Sequence, residues 1–219
     1  MDYMALSNRY FGEISEYLKS KKIRRTLLIL LIVVVGVSGY YINRYVQKGR
    51  QQNAIMAFNE AMQAYVTALI TEIDVTSKKE EKAPWEEVDL AFQTAYQQNS
   101  GAQFAPFFLI YSAQALAGQQ KFSEAAQMVT DALKQLPANS PFYDLYAIMR
   151  ANFLIDSGNQ DGVEQLKQLA DNSKNYQDMA QYNLAQYYLA QNQNELAQQI
   201  FKKLAQESSP WGDFAKEYV

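Results

Sequence analysis

The sequence predicts an all-α chain: one apolar helix near the N-terminus, then an α-solenoid. Three observations carry this. Residues 26–43, TLLILLIVVVGVSGYYIN, hold no charge. After residue 50, apolar positions recur three and four residues apart, the spacing of a helix face, with no alternating strand pattern. A pattern of small and large residues also repeats itself between positions 106 and 209.

The predicted domains are a cytoplasmic tail over 1–25, a membrane anchor over 26–45 and the solenoid over 46–219. In the tail, SNRYFGEISEYLKSKK puts Phe11, Ile14 and Leu18 on one face and lysines after them. That predicts a short amphipathic helix, lying on a membrane surface or binding a partner. The uncharged run of 18 residues makes a helix of about 27 Å, close to the ~30 Å hydrocarbon core. A buried helix of a soluble protein would carry a polar stripe, and none appears between Leu27 and Val37. Tyr40, Tyr41 and Tyr45 fall at one end, where amphipathic rings suit a membrane–water interface. Lys21, Lys22, Arg24 and Arg25 are the interface cations at the other end.

Val37-Ser38-Gly39 resembles a weak cleavage site. The apolar run is longer than a signal-peptide core and 25 residues precede it, so an uncleaved anchor is expected. Asp2, Glu13 and Glu16 argue against a transit peptide. Six Lys/Arg lie before the run and three close after it, which keeps the N-terminus in the cytoplasm and exports the rest. The reverse orientation is the alternative. Gly36 and Gly39 offer either a helix-docking face or an incidental small patch.

The net charge of −3 hides a split: residues 1–50 carry nine basic and three acidic side chains, and the remainder 11 and 20. An acidic downstream domain does not suit nucleic acid. The chain has neither Cys nor His, which excludes disulfides, Cys-ligated zinc, Cys-His catalysis and His acid–base chemistry.

A first helix is expected over 51–73, then the charged loop DVTSKKEEKAP. A second starts near Trp85, with Glu86, Glu87 and Asp89 placed for the helix dipole, and closes near Asn99-Ser100-Gly101. Beyond it the repeat appears. Ala113 and Ala125 are twelve apart, as are Ala151 and Val163, and Ala185 and Ala197. Leu116 maps onto Tyr188 and Val129 onto Phe201, both by 72 residues, and Ala132 onto Ala170 by 38. The steps are therefore 38 and 34, the longer one holding an insertion around 140–143. Paired helices at a period of 34 are the signature of the tetratricopeptide repeat. Units are expected over about 106–139, 144–177 and 178–209, with SSPWGDFAKEYV starting a capping helix. The middle unit is the most degenerate, because Gly162-Val163 stands where Glu-Ala is usual.

No catalytic, cofactor-binding or metal site is predicted. Glu80-Glu81 and Glu86-Glu87 read as solvated carboxylates at a loop and a helix start, and no phosphate-binding glycine motif occurs. The expected working surface is a groove lined by the first helix of each unit. Its candidate contacts are Phe107, Ile110 and Gln114, then Ile148 and Asn152, then Tyr182 and Gln186. Gln119, Gln120, Gln191, Asn192, Gln193 and Asn194 are expected to be solvated.

The order tail, span, YYINRYVQKGR, AIMAFNEAMQAY, charged loop and FAPFFLIYSAQALAGQQKFSEAAQMVTDAL resembles the YfgM-like ancillary subunits of the bacterial Sec translocon, over about residues 9–205. The chain is richer in Tyr and Gln than that pattern, and it ends soon after Trp211, which predicts a shorter last repeat. The resemblance implies an inner-membrane protein with its repeat domain in the periplasm. It implies association with SecYEG, with a membrane-anchored periplasmic chaperone and with segments of exported proteins, and no catalysis. The alternative is a structural subunit of another envelope assembly, serving division, secretion or outer-membrane assembly.

Overall fold

The computed structural model describes the backbone of residues 21–78 and 83–219, with side chains from residue 40 onward apart from 42 and 73–82. The predicted amphipathic tail helix and Glu80-Glu81 lie outside the described residues. So do the side chains of Lys21, Lys22, Arg24 and Arg25 and most of the predicted anchor. Among residues described with their side chains, no helix is long and apolar enough to cross a membrane. Every regular element among the described residues is helical.

The chain divides into two compact units, Met1–Arg50 and Gln51–Val219. Helix α1 runs from Lys21 to Lys78. An anchor over 26–45 and a separate first helix over 51–73 were expected; one helix instead runs through both and past 73. Residues 46–50 hold no proline, and a lone glycine such as Gly49 costs a helix only about 1 kcal/mol relative to Ala. In the first unit Tyr40 and Tyr41 are exposed, with rings edge to face at 5.6 Å.

In the second unit, α2 (Trp85–Asn99) follows Pro84, with Glu86 and Glu87 in its first turn. Then come α3 (Ala105–Gly118) and α4 (Phe122–Gln135), α5 (Tyr143–Asp156) and α6 (Asp161–Asn172), and α7 (Gln177–Ala190) and α8 (Asn194–Leu204). A short α9 (Pro210–Ala215) and a 3₁₀ turn (Lys216–Tyr218) end the chain. Ser209 caps α9, its hydroxyl accepting from the Gly212 N–H at 3.1 Å.

Three hairpins, α3/α4, α5/α6 and α7/α8, turn in the same way. Gln120, Gly158 and Asn192 all have positive φ, at 63°, 82° and 59°. Their spacings are the 38 and 34 steps of the repeat. At each turn the residue after the positive-φ position donates to a carbonyl five back: Lys121 to Leu116 at 2.9 Å, Asn159 to Leu154 and Gln193 to Tyr188 at 2.8 Å. The positive-φ residue itself donates three back, to Ala117, Ile155 and Leu189. This pair of bonds is the Schellman closure of a helix C-terminus. A sequence repeat inferred from alanine spacing is thus matched by a backbone repeat that depends on different residues.

Within each hairpin the small pairs are buried. Ala113, Ala125, Ala151, Ala185 and Ala197 are all fully inaccessible, and Val163 is nearly so. Where Val163 replaces an alanine, Gly162 beside it supplies the room. A Cβ on Gly162 would collide with the Ala151 carbonyl oxygen and lie 2.9 Å from Ile155 N and Cγ1. The apparent degeneracy of the middle unit is therefore a compensated substitution.

Ion pairs contribute little. The three among the described residues, Lys134–Asp131, Lys167–Glu164 and Lys216–Asp213, are exposed and local. Polar joints matter more. Ser173 is buried; its hydroxyl donates to Asp144 at 2.7 Å and accepts from the Tyr176 N–H at 3.1 Å. Gln177 and Gln181 both donate to the Ala170 carbonyl, at 2.8 and 3.1 Å, near the end of α6. Gln119, expected to be solvated, is half-buried and donates to the Trp85 carbonyl at 3.1 Å. Gln120 and residues 191–194 are exposed as expected.

Two stability outcomes follow. Gly162→Ala should destabilise the domain by about 1–3 kcal/mol, because the clash with rigid backbone outweighs the gain in helix propensity. Gln120→Gly should stabilise it by about 0.5–1 kcal/mol, and Asn192→Gly by less, since Asn tolerates the left-handed region. Chemical denaturation of each variant measures both.

Candidate partner-binding face

The first helix of each hairpin carries four recurring positions at the 38 and 34 steps. Phe107, Leu145 and Met179 are equivalent, as are Tyr111, Met149 and Asn183, and Gln114, Asn152 and Gln186. All nine are half-buried. The fourth position, Gly118, Asp156 and Ala190, is exposed.

Lateral contacts hold these helices side by side. In the described part of α1, Phe58 meets the rings of Phe104, Phe108 and Tyr111 at 4.9, 5.8 and 5.1 Å. The Tyr65 hydroxyl donates to Gln114 Oε1. Between α3 and α5, Phe107 lies 6.2 Å from Tyr146 and 6.0 Å from Phe142. Between α5 and α7, Asn152 Nδ2 donates to Asn183 Oδ1 at 2.8 Å. Asn183 Nδ2 in turn donates to the Met179 carbonyl at 2.7 Å. The result is a half-buried row of rings, thioethers and amides with no charge until Asp156.

Four of the seven candidate contacts, Phe107, Gln114, Asn152 and Gln186, fall on this face. Ile110 and Ile148 do not. They are 1% and 0% exposed and belong to the core. The third residue of their series explains them. Tyr182 stands at the same position in the last hairpin of the described residues. It packs instead on the C-terminal segment, 5.2 Å from Trp211, 6.3 Å from Phe214 and 6.4 Å from Tyr218. The series 110, 148, 182 is thus the seam between consecutive units. Leu145 and Met179, and Tyr111, Met149 and Asn183, went unpredicted. The 38 and 34 steps, applied to every helical position and not only to the alanines, would have picked them out.

Among the described residues, no group of three or more acidic side chains could hold a metal ion. The shifted groups on and beside this face are phenols and Asp156, whose carboxyl burial raises. Burial, with Tyr111 and Tyr176 nearby, pushes the Tyr146 hydroxyl from 10.0 up to about 12. Burial also raises Tyr65, with Tyr111 and Glu72 adding to it. The folded state therefore holds these phenolic protons after the unfolded chain releases them. Their linkage leaves stability unchanged below pH 10 and lowers it as pH rises from about 10 towards 12. An alkaline titration followed at the tyrosinate absorbance should show a late fraction titrating together with loss of helical signal, and Tyr146→Phe should move that loss to higher pH.

No protein-family model matches the chain, and no significantly similar curated protein or solved structure was found.

Proposed function

We propose that the chain is a non-catalytic, membrane-anchored protein-binding module with a tetratricopeptide-type solenoid. In this reading it resembles the YfgM-like subunits and acts at the Sec translocon, on the periplasmic side of a bacterial inner membrane. Its partners are the channel, a membrane-anchored chaperone and segments of exported chains. The observation that carries the reading is the row at 107, 111 and 114 and its equivalents. Half-buried aromatic, Met and amide side chains offer apolar contact and hydrogen bonds without demanding charge, which suits extended or partly folded segments of varied sequence. Tethering the domain through residues 26–45 raises the effective concentration of weak contacts at one membrane face.

A structural role in another envelope assembly is the second reading. The covering of Tyr182 by the chain's own C-terminal segment favours it, because a shortened open face suits one fixed partner.

A photo-crosslinking residue at Gln114, Asn152 or Gln186 of the full chain in cells separates the two. Translocon subunits together with many exported proteins are the expected products. One stoichiometric partner supports the second reading instead. Products no richer than from Gln127, exposed on α4, overturn both. An inactive alkaline phosphatase fused to the C-terminus overturns the exported orientation.

A further inference from the structure

The row of half-buried side chains carries no charge until Asp156, the last residue of α5. Nothing in the fold calls for a carboxylate there. The equivalent positions of the other two hairpins hold Gly118 and Ala190, which end α3 and α7 without one. A helix C-terminus is the negative end of the backbone dipole, so an acid in the last turn is opposed. The last turn of α5 has no basic residue to offset it. Among the described residues Asp156 takes part in no ion pair. Its side chain is exposed, yet shielded from water enough for burial to raise its pKa.

One turn back on the same face stands Asn152, four residues earlier and about 5–6 Å away between Cβ atoms. The direction of its amide is fixed from outside. The Met179 carbonyl can only accept, so Asn183 must turn its Nδ2 towards it, at 2.7 Å. That points Asn183 Oδ1 at Asn152, whose Nδ2 donates to it at 2.8 Å. Asn152 is left with its Oδ1, and no donor among the described residues meets that oxygen. An oriented amide oxygen and an unpaired carboxylate thus lie side by side, and both only accept. We propose that Asp156 and Asn152 Oδ1 together receive the cation of a Lys or Arg side chain in a bound protein segment. The site rests on the row being a protein-binding face, and it gives that face a sign. An ammonium or guanidinium group is positive and donor-only, so it satisfies both oxygens and matches the charge. The domain around it favours the same sign, with 20 acidic against 11 basic side chains after residue 50. One carboxylate is too few ligands for a divalent cation, and no larger group of acids stands among the described residues.

The test uses the full chain in mild detergent and labelled nonapeptides of Ser, Leu and Gln, capped at both ends, whose central residue is Lys, Arg, norleucine or Glu. Fluorescence anisotropy should show the Lys and Arg peptides binding about three- to fivefold tighter than the norleucine peptide, the range of a solvent-exposed charge pair. The gain should shrink as salt is raised. Asp156→Asn should erase it with circular dichroism unchanged, since the side chain is exposed and its charge is opposed by the helix. Asn152→Ala should reduce it, and Asp156→Lys should move the preference to the Glu peptide. Equal affinity for the Lys and norleucine peptides, or a Lys gain that either Asp156→Asn or Asn152→Ala leaves whole, overturns the cation site and leaves the binding face standing. Failure of all four peptides to bind overturns both.

Discussion

How closely two helices of one hairpin can approach decides the rest of the solenoid. At each crossing a residue with little or no side chain faces another: Ala113 and Ala125, Ala185 and Ala197, and Ala151 against Gly162-Val163. Close approach pulls the larger residues around them into one layer. Leu116 and Val129 join Ala113 and Ala125 in a single buried cluster, and Phe201 and Leu204 join Ala185 and Ala197 in another. The turns must then be short, and three Schellman closures make them so. Once the hairpins are compact, the first helices lie near enough for Phe107 to reach Tyr146 and Asn152 to reach Asn183. The half-buried row is a product of that spacing.

Much of this was legible in the chain, for a physical reason. Close helix packing leaves small residues at fixed intervals, and those intervals survive even where Tyr188 replaces Leu116 or Phe201 replaces Val129. The side a residue faces was harder. Ile110 and Gln114 are one helical turn apart and project in similar directions, yet one is core and the other half-open. What divides them is the position of the next hairpin, a tertiary fact that periodicity within one helix does not contain. Gln119 was misjudged likewise, since its amide answers a carbonyl at Trp85, far away in sequence. The continuity of α1 escaped because a charged stretch reads as a loop when it also reads as good helix.

The second unit is held together with few charges. Its joints are made by amides and hydroxyls: Gln119 to Trp85, Gln177 and Gln181 to Ala170, and Ser173 to Asp144. The amide–carbonyl bonds among them are screened little by salt, unlike exposed ion pairs. The abundance of Gln, unremarkable as composition, is in part a structural device for satisfying carbonyls where helices end.

The aromatic hub around Phe58 has a consequence for how the molecule comes apart. Phe58 joins α1 to Phe92 on α2 and to Phe104, Phe108 and Tyr111, so one ring ties the first helices into a block. The far end is closed by a six-residue helix whose Phe214 is half in solvent. In a chain of nearest-neighbour units, such asymmetry gives unravelling a direction. The C-terminal hairpin frays first, while the hub beside α1 outlasts it. Early loss of order would therefore leave α1 and its neighbours folded, shortening the array from the end farthest along the chain.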